Sequence, residues 1–300
     1  MSNNKKLEFT FEIGTIDHLG VKLYSTIPPM IAELISNAWD ADAHNVYMYF
    51  NDGAAKSIVV KDDGSGMDFD ELNEKFLKIG RNRRVSTHSD VTQGERPVLG
   101  KKGLGKLSMF GIGKKITIST VKDGKKNSFV MDYDAIKACS QQKTYEPTIL
   151  EYEVTTQEAS GTEIKIENLA RQSGFDLEGI RRNILNRFSI FSTDFIVHIN
   201  DDDKLLINKN GIITENYQFK WDFPKDFNEE QQSFQSLYDF GINNKITGTI
   251  YTSATPLSKK QQGIILFSRG KLVQESMSFS ERANDNFFQY MAGSFAVDFI

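Results

Sequence analysis

The sequence has a single cysteine, Cys139, among its 300 residues. One thiol excludes an intrachain disulfide framework and a cysteine-rich zinc site. Histidine is also scarce, with four residues at positions 18, 44, 88 and 198 and no metal-ligand spacing among them. No apolar run approaches the ~20 residues that a membrane-crossing helix needs. The opening MSNNKKLEFTFEIG lacks the apolar stretch of a secretory signal. Charge of one sign is missing too: 36 basic against 40 acidic residues leave −4, which exerts no global pull toward nucleic acid or anionic membrane. Internal repeats and low-complexity tracts are absent. These absences lead us to expect a soluble, cytoplasmic protein without a membrane partner. At 39% hydrophobic, 300 residues supply one large core or two medium ones. The last residues, FAVDFI, read as a strand with no terminator, so we expect the natural protein to extend beyond them.

What is present reads as α+β twice over. Residues 7–16 alternate weakly, as a strand or an extended arm. Ser25-Thr26 before Pro28-Pro29 predicts a helix start, and AELISNAWDADA continues the helix. NVYMYF (45–50) and SIVVKD (57–62) predict strands. DDGSGMD (62–68) is a glycine-broken loop, and FDELNEKFLKIG predicts a helix with Phe69, Leu72, Phe76 and Ile79 inward. Residues 80–106 form a long basic loop with almost no core periodicity; such loops are usually active-site lids or disordered. LSMFGIG predicts a small-residue helix. ITISTV, SFVMDYD, GTEIKIENL (161–169) and DFIVHIN (194–200) predict strands, with a helix over 177–191. The polar Asn200-Asp-Asp-Asp203 predicts a turn near a domain boundary. Beyond it, KITGTIYTS, GIILFSRGKLV and GSFAVDFI predict the strands of a second, strand-rich domain.

The helix over 32–43 poses the chemical question. Ile31, Leu34, Ile35 and Ala38 share one flank at i, i+3, i+4, i+7 spacing. Glu33, Ser36, Asn37 and Asp40 share the other, and no Lys or Arg stands at i+4 to balance them. The flank is either a solvated face or one whose cation is a bound metal. Three further pieces follow in order: Asp62-x-Gly64-x-Gly66; the basic loop ending in Gly100-Lys-Lys-Gly103-Leu-Gly105-Lys106; and Gly161-Thr162 opening a strand. Alone, each is a turn or a flexible linker. A Walker loop fails here, because Leu107 stands where the Mg²⁺-binding hydroxyl must be.

Together, in this order and spacing, the four pieces over about residues 15–200 resemble the GHKL ATPase superfamily. That Bergerat-fold group contains gyrase B, MutL, HtpG-type chaperones and sensor histidine kinases. The resemblance implies an α/β sandwich with helices on one face of a mixed sheet, and ATP with Mg²⁺ as cofactors. It implies Glu33 as the general base and Asn37 as both a nucleotide contact and the metal ligand. It implies that Asp62 accepts the adenine amine, with Gly64, Gly66 and Met67 lining the base and Thr162 completing the pocket. It implies that Gly100, Lys102, Gly103, Leu104, Gly105 and Lys106 wrap the phosphates. Asp40 supports the helix or ligates the ion; Arg81, Arg83 and Arg84 contact phosphate or solvate the lid.

The order of domains is similar to that of gyrase, MutL, the chaperones and the Microrchidia proteins, and GKKGLGKLSMFGIGKKITIST looks closest to the last. By that resemblance we expect an N-terminal arm (1–16), an ATPase domain (17–205) and a smaller β-rich transducer-like domain (206–300), with Lys259 or Lys260 facing the nucleotide. The expected activity is slow, Mg²⁺-dependent ATP hydrolysis driving formation of a homodimer. Its work would fall on DNA or a protein client through a C-terminal part beyond these residues. The alternative is an ATP-binding switch that does not hydrolyse.

Overall fold

The computed structural model describes residues 7–10, 26–78, 91–100, 105–139, 144–209, 217–227, 234–259, 261–277 and 286–300. The chain divides into two units, Met1–Ile184 with Ser192–Asn208, and Leu185–Phe191 with Lys209–Ile300.

The first unit is built on a sheet of seven strands. They are β2 (Asn45–Asn51), β3 (Ser57–Asp62), β4 (Gly113–Lys122), β5 (Lys125–Asp132), β7 (Thr148–Thr155), β8 (Gly161–Leu169) and β9 (Ile196–Ile199), in the order β7-β5-β4-β8-β3-β2-β9. A two-residue β1 (Phe9–Thr10) pairs with β6 (Thr144–Tyr145) outside this sheet. All neighbours in the large sheet are antiparallel except β2 and β9. The period of two decides which face is dry. Val46, Met48, Ile58, Val60, Ile116, Ile118, Phe129, Ile164, Ile166 and Val197 are buried. Several of their alternates carry charge, and Lys115, Glu167 and Lys165 pair across the opposite face.

Helix α1 (Ile27–Asp40) starts at Pro28-Pro29 with Thr26 as an extended N-cap, but no side chain caps it. It buries Met30, Ile31, Leu34, Ile35 and Ala38 and packs against a 3-10 turn over Gly105–Gly111, where the sequence predicted a small-residue helix. The helix predicted from Phe69 departs from its pattern. It opens as α2 (Phe69–Glu71) in an Asp68/Glu71 capping box and widens at once into a π-turn over Leu72–Phe76. The Leu77 N–H donates to Leu72 O at 2.8 Å, an i→i+5 bond. That extra residue rotates Leu77 into the core in place of Phe76, which stays half-buried. Ile79 lies outside the described residues.

Helix α3 (Tyr133–Ala138), capped by Asp132, and the edge strand β7 were missed in the sequence. The helix predicted over 177–191 is α4 (Leu177–Arg187), ending before the buried Phe188.

The second unit carries a five-stranded sheet ordered β10-β11-β14-β12-β13. Its strands are Phe219–Phe223, Thr247–Thr252, Gly263–Ser268, Lys271–Met277 and Met291–Ala296, numbered β10 to β14 in chain order, with α5 (Gln235–Asn243) between the first two. GIILFSRGKLV is two strands, because Arg269 and Gly270 both take positive φ (54° and 85°) and turn the chain back. Among the described residues no helix is long and apolar enough to cross a membrane.

Candidate functional site

Along α1 the apolar flank is fully buried, while Glu33, Asn37, Trp39 and Asp40 keep partial exposure. Helical spacing stacks Glu33, Asn37 and Asp40 on one flank, each a turn from the next. Ser36 leaves that group: it is 1% exposed and its hydroxyl donates to Ala32 O at 2.8 Å.

The C-terminal end of α1 fixes two loops. Asp40 accepts the Leu99 N–H at 2.8 Å on one carboxylate oxygen and the Gly100 N–H at 3.0 Å on the other. Its role in the described structure is to hold the backbone where the glycine-lysine stretch begins, and the Gly100 amide is committed to it. Asp42 accepts from the Thr92 hydroxyl and the Gly94 N–H. Trp39 donates its indole N–H to Pro97 O at 2.9 Å, and the Arg96 guanidinium stacks over the Trp39 ring at 4.6 Å. Arg96 also donates to Ala43 O and Asp194 O. Residues 91–100 are thus strapped to one helix end by neutral and charge-assisted hydrogen bonds and a cation–π contact.

The second loop is Asp62–Met67. The Ser65 N–H donates to Ala41 O at 2.8 Å, hanging the loop from the end of α1. Asp62 ends β3 opposite Thr162 on β8. It is half-buried, and its carboxyl is surrounded by protein. That desolvation pushes its pKa from 3.8 up to about 6, against the lowering pull of the Gly64 and Thr162 N–H groups. The Gly64 N–H lies 3.0 Å from Asp62 Oδ1. Gly66 is at φ +66°, and a Cβ there would meet Val121 O at 1.9 Å. Gly161 is at φ +151°, where a Cβ would meet Asp62 O at 2.1 Å. The two glycines let three backbones touch beneath the carboxyl.

Asp63, given no role in the sequence reading, staples the loop to β2. It accepts the His44 N–H at 2.7 Å, the Asn45 N–H at 2.8 Å and the Asn45 side-chain amide at 2.8 Å. Although burial raises the pKa of Asp63, these bonds outweigh it and hold the carboxyl below the usual range.

A second residue went unremarked in the sequence. Thr120, 1% exposed on β4, lies 3.2 Å from the Thr162 hydroxyl and accepts the Met67 N–H at 2.9 Å. Its signal was available: Ile116, Ile118 and Thr120 are successive inward positions, and only the third is polar.

The structure therefore gathers Asp62, Gly64, Gly66, Met67 and Thr162 around one floor, and Glu33 and Asn37 on the helix from whose end that loop hangs. Gly105 and Lys106 open the 3-10 turn packed on α1. Lys102, Gly103, Leu104, Lys260 and the three lid arginines lie outside the described residues; Lys259 is exposed in the second unit.

Residues 24–162 match the family described as histidine kinase-, DNA gyrase B- and HSP90-like ATPases. Over this span the chain matches the GHKL ATPase family. The match runs from just before α1 to Thr162, the span that holds every floor contact above and every strap contact except that of Arg96 with Asp194 O. The chain is 29% identical over 313 residues to a putative type II restriction enzyme, HgiDII, of Herpetosiphon aurantiacus, covering 98% of this chain and 49% of that protein. It is 25% identical over 321 residues to the chaperone protein HtpG of Francisella tularensis, covering 91% and 49%. It is 25% identical over 191 residues to the DNA mismatch repair protein MutL of Staphylococcus carnosus, covering 61% and 27%. The chain spans about half the length, or less, of these relatives.

The residues present fit the family's nucleotide. An ionised carboxyl beside a hydroxyl suits an exocyclic amine next to a ring nitrogen, and the half-exposed amide oxygen of Asn37 suits a hard cation that arrives with phosphate oxygens.

Proposed function

We propose that this chain binds ATP with Mg²⁺ and hydrolyses it slowly, as the nucleotide-gated part of a longer protein. The observation that carries the reading is the desolvated Asp62 carboxyl, in a loop hung from the same helix that presents Glu33 and Asn37. Asp62 accepts the adenine amine, which guanine replaces with a carbonyl. Thr162 completes the base contact. Asn37 holds Mg²⁺, whose charge offsets that of the phosphates. Glu33 takes the proton of the attacking water as general base. Phosphoryl transfer to water asks the protein mainly for positioning and electrostatic stabilisation. The stretch that follows Gly100, through Lys106, supplies amides and lysine charge to the phosphates, with Asp40 holding the Gly100 amide where it begins.

The order of units, a GHKL domain followed by a β-rich one, supports a transducer role for the second unit and dimer formation on ATP binding. The named relatives include a putative restriction enzyme, a mismatch repair protein and a chaperone, which supports DNA or a protein as the client. Phosphate release with and without Mg²⁺, in wild type and Glu33→Ala, tests the reading. Glu33→Ala should bind ATP as wild type does and lose ~2–4 orders of magnitude in rate. Tight ATP binding by a wild type that releases no phosphate would leave a non-hydrolysing switch. No binding at all would remove the pocket.

A further inference from the structure

The floor of the base pocket holds two hydroxyls and too few protons for every bond they can make. Thr120 Oγ1 accepts the Met67 N–H at 2.9 Å, lies 3.1 Å from Gly161 O and 3.2 Å from Thr162 Oγ1. Thr120 is 1% exposed and Thr162 9%. A hydroxyl has one proton and two lone pairs. The Met67 N–H occupies one lone pair of Thr120, so its single proton goes either to Gly161 O or to Thr162. In the first arrangement Thr162 donates its own proton back to Thr120 and offers a base only lone pairs. In the second, Thr162 receives the Thr120 proton and has its own free to donate.

We propose that Thr120 is a positioning and specificity-determining residue: it switches its proton from Gly161 O to Thr162 when adenine docks, turning Thr162 into a donor toward the ring nitrogen beside the amine. Adenine presents a donor amine next to an acceptor nitrogen. Asp62 supplies the acceptor; among the described residues Thr120 is the hydrogen-bond partner of the Thr162 hydroxyl, and its donated proton orients that hydroxyl so that the Thr162 proton faces the base. No atom moves except two hydroxyl protons, each rotating about its C–O bond. The buried hydroxyl in an otherwise apolar row of β4 is thereby explained, since a structural latch for the Met67 N–H alone would not require a second hydroxyl 3.2 Å away. The inference rests on the adenine reading of this pocket and deepens it.

The test is calorimetric titration of the whole chain with Mg²⁺ and either ATP or 1-deaza-ATP, which lacks that ring nitrogen. Wild type should bind ATP about tenfold more tightly than 1-deaza-ATP, the cost of one unmade hydrogen bond at a buried polar site. In Thr120→Val, where nothing orients the Thr162 hydroxyl, the preference should fall well below tenfold, and Thr120→Ser should restore it. This cycle separates the switch from a latch. If Thr120 only latches Met67, Thr120→Val weakens both ligands equally and the tenfold ratio survives, which overturns the proposal. Thr120→Ala replaces Thr120→Val should the latter not fold. Equal binding of the two ligands by wild type overturns the proposal without any variant. Failure of wild type to bind ATP would instead bring down the adenine reading itself.

Discussion

Replacing Asp62 by Asn should move stability and ligand affinity in opposite directions. The folded-state pKa of about 6 lies above the ordinary 3.8, because burial disfavours the charge. Between pH 4 and 6 the folded protein therefore holds a proton that the unfolded chain has released, and stability falls as pH rises through that window. About two pKa units correspond to roughly 3 kcal/mol of penalty, fully present above pH 6. An uncharged carboxamide at this position would carry no such penalty but offers one acceptor oxygen to the Gly64 and Thr162 N–H groups, a loss of about 1 kcal/mol. Asp62→Asn should thus be more stable than wild type by about 2 kcal/mol at pH 8, and equal or weaker near pH 4. Urea unfolding in a Trp221→Phe background reads this out, since Trp39 then reports the first unit alone. The same variant sets an amide donor against the adenine amine, so ATP affinity should drop by about 100-fold. In wild type, affinity should weaken as pH falls below 6 and the carboxyl takes up its proton. A variant less stable than wild type by the same margin at pH 8 and pH 4 would refute the reasoning, because the carboxyl would then bear no desolvation cost.

Two further outcomes follow from the backbone. Gly66→Ala should destabilise the first unit by ~2 kcal/mol or more in thermal melts and abolish ATP binding, since the new Cβ meets Val121 O at 1.9 Å and φ is +66°; a melt unchanged from wild type would show that the loop relaxes freely. Asp40→Ala should raise hydrogen exchange at the Leu99 and Gly100 amides by ~10-fold or more and weaken ATP by a similar factor. Exchange rates matching wild type would mean that the carboxylate does not hold that stretch.

Much of the site was legible because its signals are local. Glu33, Asn37 and Asp40 fall on one flank by helical spacing alone, and the apolar flank of α1 is buried as its period predicts. Strand β8 runs over the same residues that its alternation marked, 161–169. The failures were of two kinds. Some elements were passed over or carry a misleading local pattern: β7, TILEYEVT, alternates apolar and acidic residues over Leu150–Val154 yet leaves those apolar side chains exposed on an edge strand, and the π-turn at Leu72–Phe76 adds a residue that no 3.6-residue period anticipates. Other residues have roles set by partners far along the chain. Arg96 reaches Asp194, Trp39 reaches Pro97, and Thr120 meets both Met67 and Thr162.

The chain by itself determined which helix bears a flank of oxygen-bearing side chains, which loop needs glycine and which strands bury which face, since each follows from spacing between near neighbours in sequence. Tertiary structure alone decided that Asp62 would be desolvated, that Asp40 would spend its carboxylate on two backbone amides and that a threonine on β4 would sit under one on β8. Burial and hydrogen-bond partnership are properties of what surrounds a group. Those surroundings exist only once strands distant in sequence have paired.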